Sequence, residues 1–179
     1  MITEISPRTP TTSRIAVVAL GSNLGDRWAR LRSALDGLRS DFPDLLVSEV
    51  FETEPVGGPP GQDNYLNMVV TFLTDRSARS ILTILQRIES EGDRVRSVPA
   101  GPRTIDLDLI DLGGEVVDED GLTLPHPRVT DRPFVIGPLL MLDSSTATRL
   151  APVLAPAMLG SPELWAGDVM YGIRRVGPI

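Results

Sequence analysis

The sequence predicts an α+β domain with a ferredoxin-like βαββαβ core and an antiparallel sheet. The first observation is the order of the segments, which alternate as strand, helix, strand, strand, helix, strand. The second is their periodicity: the two amphipathic segments carry apolar residues three and four positions apart, the spacing of one helix face. The third is that turn residues bound the short apolar runs. We expect additional elements C-terminal to this core.

The first half of the core ends at Thr53. Residues 1–13 are polar and lack periodicity, so we expect a loose tail before a single domain of residues 14–179. The apolar run from Ile15 to Leu20 predicts a buried strand, and helical spacing from Arg27 predicts a helix to about Ser40. Leu45 to Thr53 is predicted as the second strand.

The second half contains a strand, a helix and a strand. Tyr65 to Leu73 is the predicted third strand, Ser77 is the expected N-cap of a helix to about Glu91, and Ile105 to Leu112 is the fourth strand. Loops 54–64 and 92–102 are long, and such loops in small domains are usually functional or mobile.

Weaker patterns follow the fourth strand. Residues 115–117 predict a short strand that pairs near it, and prolines make residues 122–127 extended. A short helix is expected at Val135 to Leu142. After Asp143 the pattern weakens, and the sequence assigns that segment no role.

Composition excludes several classes of protein. The chain has no cysteine, which excludes disulfides and thiolate metal sites and favours a reducing compartment. All 17 basic residues are arginine, so P-loop and Schiff-base lysines are excluded, and His126 is the single histidine. The net charge of -7 argues against a duplex nucleic-acid partner. No apolar run is long enough to span a bilayer, so we expect no membrane partner. Because no second catalytic domain is visible, we expect a stand-alone, cytoplasmic monomer.

Asp106 and Asp108 are the strongest candidates for chemistry. Strand side chains alternate between faces, so the two carboxylates are expected together on one face of the fourth strand. Paired carboxylates suit Mg²⁺ whose remaining ligands are water and phosphate, but a solvated strand face is about equally consistent with so short a pattern. Arg103, just before the strand, favours a phosphate site.

Arg94, Arg96 and Arg103 bracket the loop that leads into this pair. Arginine suits phosphate oxygens and stays charged at any working pH. Any single arginine is more easily explained by a surface ion pair with nearby acidic residues. The cluster together with the carboxylates favours binding of a metal-polyphosphate.

Three further positions leave alternatives open. Gln86 and Glu89 fall on one helix face, where solvent exposure is a stronger interpretation than nucleotide contact. His126 lies between prolines, so a structural role competes with a phosphate contact shared with Arg132.

Tyr65 and Asn67 are expected on one strand face. A ring and an amide beside a Gly/Pro loop could hold a flat heterocycle, and core packing with turn capping is an equal alternative.

These strings together resemble the 6-hydroxymethyl-7,8-dihydropterin pyrophosphokinase family of folate biosynthesis. The resemblance covers about residues 14–142, in the family's order. The matching segments are Ala19-Leu-Gly-Ser-Asn-Leu24, Thr53 to Gly57, Asp63-Asn-Tyr-Leu-Asn67, Gln86-Arg-Ile-Glu89, Arg94-Val-Arg96, Gly101-Pro-Arg-Thr-Ile-Asp-Leu-Asp108, Leu122-Thr-Leu-Pro-His126 and Arg132-Pro-Phe134.

The resemblance implies transfer of pyrophosphate from ATP to a reduced pterin, with release of AMP. It implies that Asp106 and Asp108 ligate two Mg²⁺ ions, and that these two residues with Arg94, Arg96 and Arg103 are catalytic. The implied ATP-binding residues are Gln86, Glu89, Arg94, Arg96, Arg103, Thr123, His126 and Arg132. The implied pterin-binding residues are Gly21, Ser22, Thr53, Val56, Tyr65, Asn67 and Phe134.

The chain departs from the family pattern at two loops. Ala100 stands where the family usually carries a tryptophan, in a loop that looks short, and Glu54 stands where a small residue or proline is common. The first departure bears on turnover and loop closure more than on the reaction. A decayed enzyme, a metal-dependent glycosyltransferase and a non-catalytic ferredoxin-like module are the alternatives.

Overall fold

A computed structural model describes residues 13–55, 59–92, 102–167 and 169–179. The strands are β1 (Arg14–Ser22), β2 (Leu46–Val47), β3 (Val50–Thr53), β4 (Tyr65–Thr74), β5 (Asp106–Leu112), β6 (Val117–Glu119), β7 (Leu122–Leu124) and β8 (Ile173–Gly177). The helices are α1 (Arg27–Asp41), α2 (Ala78–Glu91), α3 (Pro133–Leu142), α4 (Ser144–Leu150), α5 (Leu154–Leu159) and α6 (Pro162–Ala166).

The central sheet has the strand order β5-β1-β4-β3-β8, and β2 also pairs with β4. Each neighbouring pair is antiparallel. The first four strands of this order, with α1 and α2 in the connections, give the predicted ferredoxin-like core, and β8 extends it at one edge. Gly21 of β1 lies opposite Asp106 on one side and Asn67 on the other.

Helices α1 and α2 cover one face of the sheet. Their apolar stripes, which include Leu31, Leu35, Ile81 and Leu85, pack into a buried core with alternate residues of the strands. Asp26 and Ser77 cap the two helices by accepting hydrogen bonds from backbone N–H groups in the first turn. Ser77 therefore confirms the predicted N-cap.

The C-terminal segment covers the other face. Val135, Ile136 and Leu139 of α3 form a second buried core with Val17 and Phe51 of the sheet, and residues of α4, α5, α6 and β8 complete it. The segment after Asp143, to which the sequence assigned no role, therefore closes this face. No helix in the described ranges combines the length and apolarity needed to cross a membrane.

Two element predictions are wrong. The second strand is not continuous: Ser48 is buried, and its hydroxyl accepts a hydrogen bond from the Val69 N–H of β4 at 2.9 Å, so a side chain replaces a backbone acceptor in the pairing with β4 and the strand divides into β2 and β3. The short strand predicted beside the fourth strand instead starts at Val117 and pairs with β7 in a separate sheet. Gly113 and Gly114, both at positive φ, turn the chain away from β5.

Candidate active site

A cavity of about 470 Å³ lies on the face of the sheet that carries α3. The central strands supply its floor, and the segments 128–134 and 171–173 supply its walls. Nine of the residues predicted from the sequence line it: Gly21, Thr53, Tyr65, Asn67, Arg103, Asp106, Asp108, Arg132 and Phe134.

Asp106 and Asp108 share one face of β5, as their spacing predicts. Ile105, Leu107 and Leu109 alternate with them and are buried in the core beneath α1 and α2. The two acidic side chains line the cavity and retain 19% and 37% of their exposure. Apolar anchoring on one side of the strand therefore directs both carboxylates into the cavity.

Each carboxylate is paired with one arginine. The Arg103 Nη1 atom donates to Asp106 Oδ2, and Arg132 Nη1 donates to Asp108 Oδ2 at 2.8 Å. Burial alone would lower the pKa of Arg103, but the Asp106 carboxylate outweighs it, so this pKa is raised. The Arg132 guanidinium also lies 5.7 Å from the Phe134 ring centroid, a cation–π contact. Two guanidinium groups and two carboxylates thus meet where β5 borders the cavity.

The segment before β5 is anchored by the last residue of β1 and the residue after it. The backbone N–H of Asn23 donates to the Arg103 carbonyl oxygen at 3.1 Å, and the Arg103 N–H donates to Asn23 Oδ1 at 2.8 Å. The Ser22 hydroxyl donates to the Thr104 carbonyl oxygen at 2.6 Å. Ser22 therefore lies beneath the site and positions it, without lining the cavity.

Strands β3 and β4 contribute an aromatic ring, an amide and a hydroxyl to the cavity. Tyr65 and Asn67 share a face of β4, as predicted, and the Asn67 amide donates to Thr53 Oγ1 at 2.9 Å. A Cβ atom at Gly21 would lie 3.1 Å from Asn67 Oδ1, so glycine leaves room for this amide. Burial, opposed by Arg103 and reinforced by Asp106, raises the pKa of Tyr65. The phenol therefore stays protonated at neutral pH.

Four predicted ATP-binding residues do not line the cavity. Gln86 and Thr123 are exposed, whereas Glu89 is buried and accepts a hydrogen bond from the Leu107 N–H. His126 is half-buried, and its Nδ1 atom accepts a hydrogen bond from the Arg128 N–H at 3.1 Å. Burial lowers the pKa of His126, and Arg132 lowers it further.

The sequence comparisons decide the family. The family model described as 7,8-dihydro-6-hydroxymethylpterin-pyrophosphokinase matches residues 17–144. The chain belongs to this family. Three bacterial relatives carry the name 2-amino-4-hydroxy-6-hydroxymethyldihydropteridine pyrophosphokinase.

These relatives cover most of both chains. The Bacillus subtilis protein is 41% identical over 129 residues, which are 71% of this chain and 77% of the relative. The Haemophilus influenzae protein is 38% identical over 131 residues, 72% of this chain and 81% of the relative. The Pseudomonas aeruginosa protein is 36% identical over 163 residues, 89% of this chain and 94% of the relative.

Some predictions for this pyrophosphokinase family member fall outside the described residues. They concern Arg94 and Arg96, expected at the phosphates, and Val56, expected at the pterin. The departure at Ala100 lies outside them as well.

The cavity also contains residues that the sequence reasoning missed. Arg128 and Asp131 line it beside Arg132, and Tyr171, Gly172 and Ile173 line it from the C-terminal segment. The turn composition of residues 21–26 was a usable signal for the anchoring residue Asn23. The contribution of residues 171–173 depends on the pairing of β8 with β3, which connects positions more than a hundred residues apart.

The carboxylate pair can contribute only part of a metal coordination sphere. Within the described ranges, no group of three or more acidic or histidine side chains could hold an ion by itself. Hard carboxylate oxygens beside an open cavity nevertheless fit Mg²⁺, which keeps several ligands from water and phosphate. Asp106 and Asp108 are therefore the residues that could hold it.

Proposed function

We propose that this protein transfers the pyrophosphoryl group of ATP to 6-hydroxymethyl-7,8-dihydropterin and releases AMP, a step of folate biosynthesis. Family membership supports an ATP-dependent diphosphotransferase. The observation that carries the proposal for this chain is the position of Asp106 and Asp108. They share one strand face, each is paired with an arginine, and both open on one cavity.

Where β5 borders the cavity, the two carboxylates would hold two Mg²⁺ ions together with ATP. When bound, Mg²⁺ neutralises charge on the polyphosphate. Arg103 and Arg132 now donate to the carboxylates, and phosphate oxygens are equally suitable acceptors for these guanidinium groups. We propose that both arginines bind phosphate when ATP is present.

The remaining nucleotide contacts are proposals that rest on the family resemblance. They assign Gln86, Glu89, Thr123 and His126 to ATP, with Arg94 and Arg96 at the phosphates. For Glu89 the hydrogen bond to Leu107 supports a positioning role, because Leu107 separates the two aspartates.

The pterin would occupy the part of the cavity that β3 and β4 line. Tyr65 and Phe134 offer aromatic faces to a flat heterocycle, and Asn67 and Thr53 offer polar groups for its edge. Gly21 leaves space beside Asn67, Ser22 supports the floor from below, and Val56 remains a proposed contact from the resemblance.

The reaction needs positioning more than covalent chemistry by side chains. The pterin hydroxymethyl oxygen attacks the β-phosphorus of ATP and loses its proton to solvent. The new O–P bond forms as the β-phosphorus separates from the oxygen that bridges it to the α-phosphorus. That oxygen leaves as part of AMP. Arginines held near the phosphates would stabilise the charge that develops there.

We propose further that the protein acts in the cytoplasm as a monomer made of one domain over residues 14–179, without nucleic-acid or membrane partners. The net charge of -7 and the absence of cysteine support these proposals. The pairing of β8 with β3 and the second buried core support one domain.

The direct experiment incubates the protein with ATP, Mg²⁺ and the reduced pterin and measures AMP by chromatography. We expect AMP only when the pterin is present, in amounts equal to the pyrophosphorylated product. A complete absence of AMP under varied metals would reject the proposal.

A further inference from the structure

The turn between α6 and β8 contributes to the cavity from outside the family match. Tyr171, Gly172 and Ile173 line the cavity, whereas the family model ends at residue 144. The turn is tight, because Met170 and Ile173 exchange backbone hydrogen bonds at 3.0 and 2.9 Å. Two residues, Tyr171 and Gly172, therefore form the whole loop.

Tyr171 adopts a backbone conformation that its side chain disfavours. Its φ is 54°, and it is the one residue other than glycine with positive φ in the described ranges. Gly172 follows at 74°, so the pair has the two positive φ values of a type I′ turn, where asparagine and glycine are preferred. Backbone strain of this kind concentrates at functional sites. The turn alone gives no reason for tyrosine at this position.

The ring is held by its hydroxyl group. The Tyr171 hydroxyl lies 3.0 Å from Ser161 Oγ, and the Ser161 hydroxyl donates its own proton to the Ala157 carbonyl oxygen at 2.9 Å. The phenol is therefore the donor to Ser161. Because the oxygen is held at α5 and α6, the ring has a fixed position at the wall of the cavity.

The strand pairings show on which side of the cavity this ring lies. Thr53 lies opposite Tyr65 on β4 and opposite Ile173 on β8. Strand β5, with the carboxylate pair, lies at the other edge of the sheet. Four strand spacings separate β5 from β8, which is roughly 19 Å. Tyr171, two residues before Ile173, therefore lies on the side of the cavity that Thr53 lines and away from β5.

We propose that Tyr171 is a further substrate-binding residue, whose ring contacts the heterocycle of the pterin. This inference rests on the proposed function. The ring adds an aromatic wall to those of Tyr65 and Phe134. Its contact with the substrate is a second reason, besides the hydrogen bond to Ser161, for tyrosine where the backbone favours asparagine or glycine.

The test uses Tyr171→Gly and Tyr171→Asn, because both residues suit the backbone of this turn. We expect the KM and the equilibrium dissociation constant for the reduced pterin to rise by roughly 2- to 10-fold, the value of one aromatic contact. The KM for ATP stays unchanged, and the melting temperature stays equal or rises as strain is relieved. Tyr171→Phe keeps the ring and should retain pterin affinity better than either variant.

Val169→Ala is the matched control, because Val169 is exposed, lies two residues earlier and does not line the cavity. Unchanged pterin affinity in folded Tyr171→Gly and Tyr171→Asn would overturn the inference. A fall in melting temperature with equal loss of affinity for ATP and pterin would show a purely structural role and also overturn it. Pterin fluorescence measures binding without turnover, so a protein that binds pterin but releases no AMP contradicts the proposed reaction alone.

Discussion

The Oε1 atom of Glu89 accepts a hydrogen bond from the backbone N–H of Leu107 at 2.8 Å. Glu89 is 5% exposed on α2, and Leu107 separates Asp106 from Asp108 on β5. The bond therefore connects a buried carboxylate to the strand segment that directs both candidate metal ligands into the cavity.

Replacing Glu89 should affect stability before it affects any ligand. Glu89→Ala leaves the buried Leu107 N–H without this acceptor, which should lower the free energy of unfolding by about 1–3 kcal/mol. Glu89→Gln keeps an acceptor oxygen and should cost less. Urea unfolding measures both, with exposed Ser90→Ala as a control expected within about 0.5 kcal/mol. Equal stability of Glu89→Ala and the control would refute this role.

Arg149 of α4 connects the C-terminal segment to β5. Its guanidinium donates to both oxygens of Asp111 at 3.2 and 2.7 Å, and Asp111 is 1% exposed. Within the described residues, Arg149→Ala leaves this buried carboxylate with the Gly114 N–H as its one remaining donor, and it should destabilise the fold by about 1–3 kcal/mol.

The control for Arg149 is Arg39→Ala, which removes a surface ion pair with Asp36. Both partners of that pair are exposed, so the change should stay within about 0.5 kcal/mol. The two variants are compared by thermal unfolding. Similar losses of stability in both would contradict the difference expected from burial.

His126 should make stability depend on pH. Burial holds its pKa in the fold below the usual 6.5, so the unfolded chain binds a proton first as the pH falls. The contribution of His126 to the free energy of unfolding is fully present above pH 6.5. It is lost as the pH falls from 6.5 through the lower pKa of the folded state.

The measurement compares His126→Gln with the unchanged protein by urea unfolding across this pH range. The difference in free energy of unfolding between the unchanged protein and the variant should shrink as the pH falls. A constant difference, or one that grows toward acid, would contradict a half-buried histidine whose neutral form the fold favours.

The sequence alone predicted those features that depend on the periodicity of neighbouring residues. Alternation along β5 predicted that Asp106 and Asp108 share a face, and apolar spacing predicted α1 and α2. The break at Ser48 was not predictable, because it depends on a hydroxyl that reaches the next strand.

Long-range pairing limited the prediction of the site. Tyr171 enters the cavity only because β8 joins the sheet edge beside β3, and no local pattern reports that pairing. Glu89 showed the opposite difficulty: its spacing on α2 favoured a solvent-exposed helix face, which is wrong, because the side chain is buried and accepts a hydrogen bond from a backbone N–H of β5.

The most direct test of the account removes one charge at a time from the paired carboxylates. Asp106→Asn and Asp108→Asn should each lower the rate of AMP formation, at saturating reduced pterin and Mg²⁺, by roughly 10²- to 10³-fold. Their circular dichroism spectra should remain unchanged. Asp118→Asn, at an exposed carboxylate of β6, is the matched control and should keep the full rate. Rates near normal in both folded cavity variants would contradict the central claim that these two side chains hold the metal and the polyphosphate of ATP.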